Sequence, residues 1–259
     1  MKPQVYKDPR PPEYFTRFHE RVRSGRPDWV YIAVRLLLTP LLVFVWRSRC
    51  IDSDNVPTSG PAIIAPNHFS FLDHFFVAVY LRREVQFMAK SQLFKRPMQF
   101  VYTHGGVFPV RRGHRDEESF KTAHAVLARG DLVVMYAEGG RSRSGALGEP
   151  RPGIGRLALE TGVPVVPTAI AGTEKARNWK RLQFPKVTIQ YGEPICFDRV
   201  ESPSREQSQA ASQLIFERVE KLHTGLRRQG RRSAVRAARA ARRAARQATR
   251  GTPLAPSRN

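Results

Sequence analysis

Between residues 60 and 195 short runs of β-branched and other apolar residues alternate with stretches of helical period. The runs 62–65, 85–89, 106–110, 132–136, 163–170 and 186–191 predict strands. Segments 71–82, 92–103, 116–129, 153–161 and 205–228 predict helices, with Asp116 as a start signal and Gly130 as a stop for the third. Strand and helix in turn predict an α/β domain: a mostly parallel central sheet flanked by helices. Pro164 and Pro167 mark their strand as an edge or irregular one, better suited to form a wall than to do chemistry.

Ahead of this domain the pattern changes. In segment 29–46, WVYIAVRLLLTPLLVFVW, 15 of 18 residues are apolar. As a helix it would be roughly 27 Å long, near the hydrocarbon thickness of about 30 Å. Arg35 lies inside it and Pro40 breaks its hydrogen-bond ladder, so embedding in a membrane without crossing is expected over a full span or a buried soluble helix. Trp29 and Trp46 suit headgroup depth. Upstream, Tyr14, Phe15, Phe18 and Val22 recur at helical spacing beside Arg17, Arg21 and Arg23, the composition of an amphipathic surface helix. The chain thus divides into a membrane-associating segment (1–50), a catalytic-size domain (51–220) and a basic tail (221–259).

Charge sharpens the last boundary. The 259 residues carry 44 Lys and Arg against 22 Asp and Glu, a net +22. No acidic residue follows Glu220, and the twelve basic residues beyond it leave the first 220 at +10. Arg228, Arg232, Arg236, Arg239, Arg243, Arg246 and Arg250 recur at spacings of three or four, separated largely by Ala, so a helix there carries one cationic stripe. No Leu, Ile or Phe backs it, and a solvated tail without a core-facing side is expected. Anionic lipid headgroups are the next reading, at about 1 kcal/mol per basic residue near such a surface, and nucleic acid is not the expected partner.

With 41% hydrophobic and 10% aromatic residues the chain is not disordered. Two cysteines, Cys50 and Cys196, make no disulfide framework, and no zinc-type Cys/His spacing occurs, so a reducing compartment and no structural metal are expected. The first 28 residues are polar and rich in Pro and Arg, which argues against a signal peptide. The glycines form neither GxGxxG nor a P-loop, so a nucleotide-binding reading loses its main support.

Two loops after predicted strands carry candidate chemistry. In Asn67-His68-Phe69-Ser70-Phe71-Leu72-Asp73, the Asp can meet the His if the chain turns between them. It would then fix the imidazole tautomer and leave the other nitrogen a base, with no nucleophilic serine beside it. Helix capping by Asn67 or Ser70, and a metal site of His68, Asp73 and His74, are the alternatives. Glu138-Gly139-Gly140-Arg141-Ser142-Arg143 combines glycines that admit a close ligand with guanidinium forks suited to phosphate. There Glu138 could hold an arginine or accept from a hydroxyl. A strand ending in Arg111 forms a third block, Gly105 to Arg111, and the proline-bearing run 163–167 a fourth.

In this order the four blocks resemble the glycerolipid acyltransferase family. Its NHxxxxD corresponds to Asn67, His68 and Asp73; its GxxFxxR to Gly105, Phe108 and Arg111. Its EGTRSR corresponds to Glu138, Gly139, Arg141, Ser142 and Arg143, with Gly140 in place of the usual Thr and Ala137 in place of the usual Pro. The resemblance covers about half the chain. It implies catalysis by His68 oriented by Asp73, with acyl transfer from acyl-CoA or acyl carrier protein to a glycerol hydroxyl and no acyl-enzyme. Arg111 and the block from Glu138 to Arg143 would bind the phosphate or glycerol of the acceptor, and Asn67, Gly105 and Phe108 fall in the same binding set. A 1-acylglycerol 3-phosphate acceptor, giving phosphatidic acid, is expected first; glycerol 3-phosphate, another lysophospholipid or a glycolipid is the alternative, and Gly140 bears on which. No metal or bound cofactor is implied. The implied place is the cytoplasmic face of the cell membrane. A basic protein binding membrane or nucleic acid through its tail is the reading from another class.

Overall fold

The computed structural model describes residues 8–111, 116–142, 144–176 and 184–250. Its centre is a seven-stranded sheet of β1 (Arg49–Ile51), β2 (Ala62–Pro66), β3 (Val85–Lys90), β4 (Val107–Val110), β5 (Leu132–Val134), β6 (Val165–Ala171) and β7 (Thr188–Tyr191). The spatial order is β1-β7-β6-β2-β5-β3-β4. Every neighbouring pair is parallel except β6 with β7. The expected fold class therefore stands.

Both faces of the sheet are covered, which is why its central strands read as continuous apolar runs. All five residues of β2 are buried. Ala62 and Ile64 enter a cluster with Phe76, Val77, Val134 and Ile170 on the face of α3 (Asp73–Val79) and α2 (Trp29–Pro40). Ile63 and Ala65 point the other way, to Phe108, Val126, Ile154 and Phe216. That second face carries α1 (Glu13–Ser24), α5 (Glu117–Ala128), α6 (Pro152–Thr161) and α7 (Arg205–Gln229). Helices α6 and α7 approach closely at Gly155, whose N–H donates to Ser212 Oγ at 2.9 Å. A Cβ at Gly155 would sit 2.0 Å from the Ser208 carbonyl.

The structure corrects four sequence expectations. β1 was not expected: it is three residues long, and its partner Thr188 lies far along the chain. The expected helix 92–103 is a short turn, Ser91–Leu93, and then α4 (Met98–His104), because Pro97 has no N–H to continue a helix through it. β6 is interior and not an edge. Its Pro167 falls where the strand passes from a bridge with Ile195 to the ladder with β7, which begins at Thr168, so the missing N–H costs no ladder bond. Lastly, the basic tail has a core-facing side: α7, close to the expected helix 205–228, buries Val219, His223 and Leu226. α8 (Arg231–Arg250) then folds back, and Ala234, Val235 and Ala238 pack with Ile51 and Leu226. Small side chains suffice for that contact, so a stripe without Leu, Ile or Phe still has a core-facing side.

Helix α2 begins at Asp28, whose carboxylate accepts from Val30 N at 3.0 Å. It ends at Pro40 and continues as a π-helical turn, Leu41–Val45. Val30, Tyr31 and Leu42 face the protein, and Arg35 donates to the carbonyl of Leu81. Trp29, Ile32, Leu36, Leu37, Leu41 and Phe44 face outward, with Leu37 74% and Phe44 76% exposed. Among the described residues no single helix is long and apolar enough to cross a membrane; α1 and residues 29–45 would do so only as a pair, bent by 85°.

Candidate active site

The carboxyl ends of β2, β3, β4, β5 and β6 lie on one side of the sheet, and the loops leaving them build the site. After Pro66 the chain turns and Asn67 braces the turn. Its amide donates to the Ile170 carbonyl at 3.0 Å and its oxygen accepts from Ile170 N at 2.7 Å. Fully buried and committed to β6, Asn67 holds the loop and does not face a ligand.

His68 follows, its Nδ1 3.0 Å from Asp73 Oδ2. The same carboxylate oxygen accepts from Phe69 N and Ser70 N, each at 2.7 Å. Asp73 is the first residue of α3 and has no exposed surface, so one buried charge folds the loop and orients the ring together. With Nδ1–H given to Asp73, Nε2 is the basic nitrogen of the neutral imidazole. The ring stacks on Tyr136, centroids 3.9 Å apart at 22°, and meets His74 edge-on at 5.2 Å. His74 donates from Nδ1 to the Phe71 carbonyl, and burial first, then His68, lowers its pKa to about 4. A neutral His74 wedges the ring without a competing charge. Tyr136 is pushed well above the usual phenol range by burial, and its hydroxyl has no partner among the described residues.

Glu138 fastens this loop to the next one. Oε1 accepts from His68 N and Oε2 from Gly148 N, both at 2.8 Å. Burial raises its pKa, against the two backbone bonds that lower it. Among the described residues it grips backbone, where an arginine or a hydroxyl was expected. Gly139 turns the chain with φ of 62°, and a Cβ there would lie 2.8 Å from the Arg151 side chain. Ser142 N donates to the His68 carbonyl at 2.8 Å, tying the arginine-bearing loop onto the histidine loop. Arg141 is exposed and near enough for its charge to press on His74. Arg143 lies outside the described residues.

The third block divides. Gly105 closes α4, its N–H donating to Val101 O at 2.8 Å, and Phe108 is buried in the core beside Ile63. Neither is placed to meet a substrate, because along β4 Phe108 points into the sheet face and not off its end. Arg111 is at that end, three strands from β2. Its Nη2 donates to Arg10 O at 3.3 Å, and its Nε has no partner among the described residues. The residues that sequence reasoning missed are Tyr136, which reads as the end of an apolar run, and His74 as a packing neighbour of His68. No spacing signals either one. No group of three His, Cys, Asp or Glu that could hold a metal occurs among the described residues.

A doubly covered, mostly parallel sheet with a buried His–Asp pair at its carboxyl end, and arginines on the loops around it, defines the class. A family model described as Acyltransferase matches residues 47–171, a stretch that includes His68, Asp73, Arg111, Glu138 and Arg141. Among curated proteins, a chloroplastic 1-acyl-sn-glycerol-3-phosphate acyltransferase of Brassica napus is 32% identical over 126 residues, 47% of this chain and 36% of that one. The chain thus spans about a third of the length of that relative. The 1-acyl-sn-glycerol-3-phosphate acyltransferase of Bacillus subtilis is 25% identical over 181 residues, covering 69% of this chain and 89% of the bacterial one. Among solved structures, the 1-acyl-sn-glycerophosphate acyltransferase PlsC of Thermotoga maritima matches in fold, with a TM-score of 0.53 at 20% identity over 81% of this chain and 88% of that one.

Proposed function

We propose that this protein transfers a fatty acyl group from a thioester, acyl-CoA or acyl carrier protein, to the free hydroxyl of 1-acylglycerol 3-phosphate, giving phosphatidic acid. The observation that carries the reading is the His68–Asp73 pair, buried and braced by Glu138 and Asn67. His68 Nε2 takes the proton of the acceptor hydroxyl, and the oxygen attacks the thioester carbonyl. The tetrahedral intermediate collapses with loss of thiolate, which receives the proton back from the imidazolium. Asp73 stabilises that imidazolium and fixes the ring; a positioned base of this kind contributes about 10² to 10⁴ in rate. Arg111 and Arg141 receive the acceptor's phosphate. The outward face of α2 and of the π-helical turn after it, from Trp29 to Phe44, lies in the membrane interface and brings the site to its lipid, and the cytoplasmic face of the cell membrane is the proposed place of work. The names of the relatives support the acceptor.

Product analysis by mass spectrometry tests the reading. Purified protein with palmitoyl-CoA, or palmitoyl carrier protein, is offered 1-acylglycerol 3-phosphate, glycerol 3-phosphate or lysophosphatidylcholine. Phosphatidic acid from the first is the expected product. Diacyl product from lysophosphatidylcholine alone would overturn the acceptor assignment, and no product from any pair would overturn the reaction.

A further inference from the structure

The edge of the sheet opposite Arg111 holds a second basic centre that the proposed reaction leaves unused. Helix α8 lies along β1, and between them runs a groove of about 950 Å³ lined, among the described residues, by eight basic residues and no acidic one. Arg47 comes from the turn into β1, Arg49 is the first residue of that strand, Lys186 comes from the approach to β7, and Arg231, Arg236 and Arg239 come from α8. The cluster is built rather than loose. Arg231 donates to the Arg47 carbonyl, and Arg47 donates to the Phe184 carbonyl at 3.1 Å. Nη1 of Arg231 is buried with no partner among the described residues. Burial, and then the charges of Arg49 and Arg47, pull the Arg231 pKa down. The ion pair of Arg242 with Asp54 involves the other end of β1 and does not offset this crowding. Like charges gathered around a concavity are stabilised by an anion inside it.

Register fixes where the groove opens. Arg49 is level with Thr188, and Thr188 with Ala171, the last residue of β6. The groove therefore reaches the same end of the sheet as His68. β1 lies three strands from β2 on one side, as β4 with Arg111 does on the other. Three strand spacings are about 14 Å. The pantetheine arm of an acyl thioester has the length of about four extended residues, again about 14 Å.

We propose that the groove between α8 and β1 binds the 3′-phosphorylated adenosine diphosphate of coenzyme A, so that the acyl donor enters from the β1 edge. This rests on the acyl-transfer reading above. The nucleotide end carries a diphosphate and a phosphomonoester, the groups that planar guanidinium forks bind best. A concave site suits one discrete polyanion, whereas a bilayer presents a flat surface.

Calorimetric binding to the full-length chain in detergent tests this without turnover. The ligands are CoA, dephospho-CoA and 4′-phosphopantetheine, and the variants Arg236→Gln/Arg239→Gln and Arg49→Gln. CoA affinity is expected to fall about tenfold for each phosphate deprived of its guanidinium partner, with 4′-phosphopantetheine affinity unchanged. Dephospho-CoA is expected to bind wild type more weakly than CoA. Unchanged CoA affinity in both variants would overturn the proposal. So would variants that keep CoA but lose phosphatidylglycerol vesicles, since the groove would then be a headgroup site. Transfer from palmitoyl-pantetheine, run in parallel, reads the His68 chemistry alone. Normal transfer without CoA binding refutes the groove, and no transfer from any donor refutes the reaction.

Discussion

Asp73 joins orientation to folding, because one carboxylate oxygen carries three hydrogen bonds: His68 Nδ1 at 3.0 Å and the N–H groups of Phe69 and Ser70 at 2.7 Å. The group is fully buried, so no water replaces it. In Asp73→Ala three donors lose their acceptor at about 1–3 kcal/mol each, or roughly 3–9 kcal/mol in all. That approaches the whole stability of a domain, about 5–15 kcal/mol, and the variant is expected to melt far below wild type or to accumulate unfolded. Asp73→Asn keeps the shape. Its oxygen can face the same three donors while its NH₂ takes the place of Oδ1, which has no partner among the described residues. The fold is expected to survive with a loss of about 1–3 kcal/mol, while the imidazolium loses its counter-charge and the rate falls about 10²- to 10⁴-fold. Thermal melting and thiol release by the same preparations measure both quantities. Asp73→Asn at wild-type rate, or Asp73→Ala at wild-type melting temperature, would refute the reasoning.

Gly155→Ala forces a Cβ to within 2.0 Å of the Ser208 carbonyl, so α7 must lift from α6. A loss of about 3 kcal/mol, or roughly 6–12 °C in melting temperature, is expected, and an unchanged melt would show that the helices slide freely. Burial holds His19 and His74 at about 4 in the folded protein against an ordinary 6.5. Only the unfolded chain takes up these protons between the two values, so stability is complete above pH 6.5 and falls as pH drops toward 4. Urea melts at about pH 7 and about pH 5 should differ by about 2 kcal/mol for each histidine, with His19→Gln removing its share; an unaltered pH dependence in that variant would contradict the assignment. Replacing the outward Leu36 and Leu37 by Gln leaves the core untouched and is expected to lower partition onto phosphatidylcholine vesicles at least about tenfold. Equal partition would remove α2 from the membrane interface.

Much of the fold was legible in the sequence where the signal is local. Strands 62–65 and 132–136 were readable because parallel strands buried on both faces are apolar throughout. β1 was not readable, since Arg49-Cys50-Ile51 becomes a strand only when β7 arrives beside it. The first half of α8 was misjudged because Ala234 and Ala238 give no hydrophobic signal until a close neighbour supplies the contact. At the site, the sequence placed His68 beside Asp73 correctly because five positions and one turn suffice. It could not separate the residues that meet a ligand from those that hold the loop. Asn67, Glu138 and Phe108 share blocks with His68 and the arginines, yet spend their side chains on Ile170, on two backbone N–H groups and on the core. Direction of pointing is a tertiary property. Tyr136, stacked on the imidazole, became visible only in three dimensions.

The central claim, that His68 is the base, is tested most directly by thiol release dependent on 1-acylglycerol 3-phosphate, comparing wild type with His68→Ala. The backbone N–H that Glu138 grips is retained in that variant, so melting temperature provides a fair control. A fall of about 10² to 10⁴ in kcat with the fold intact is the expected result. A folded His68→Ala that turns over at the wild-type rate would contradict the mechanism.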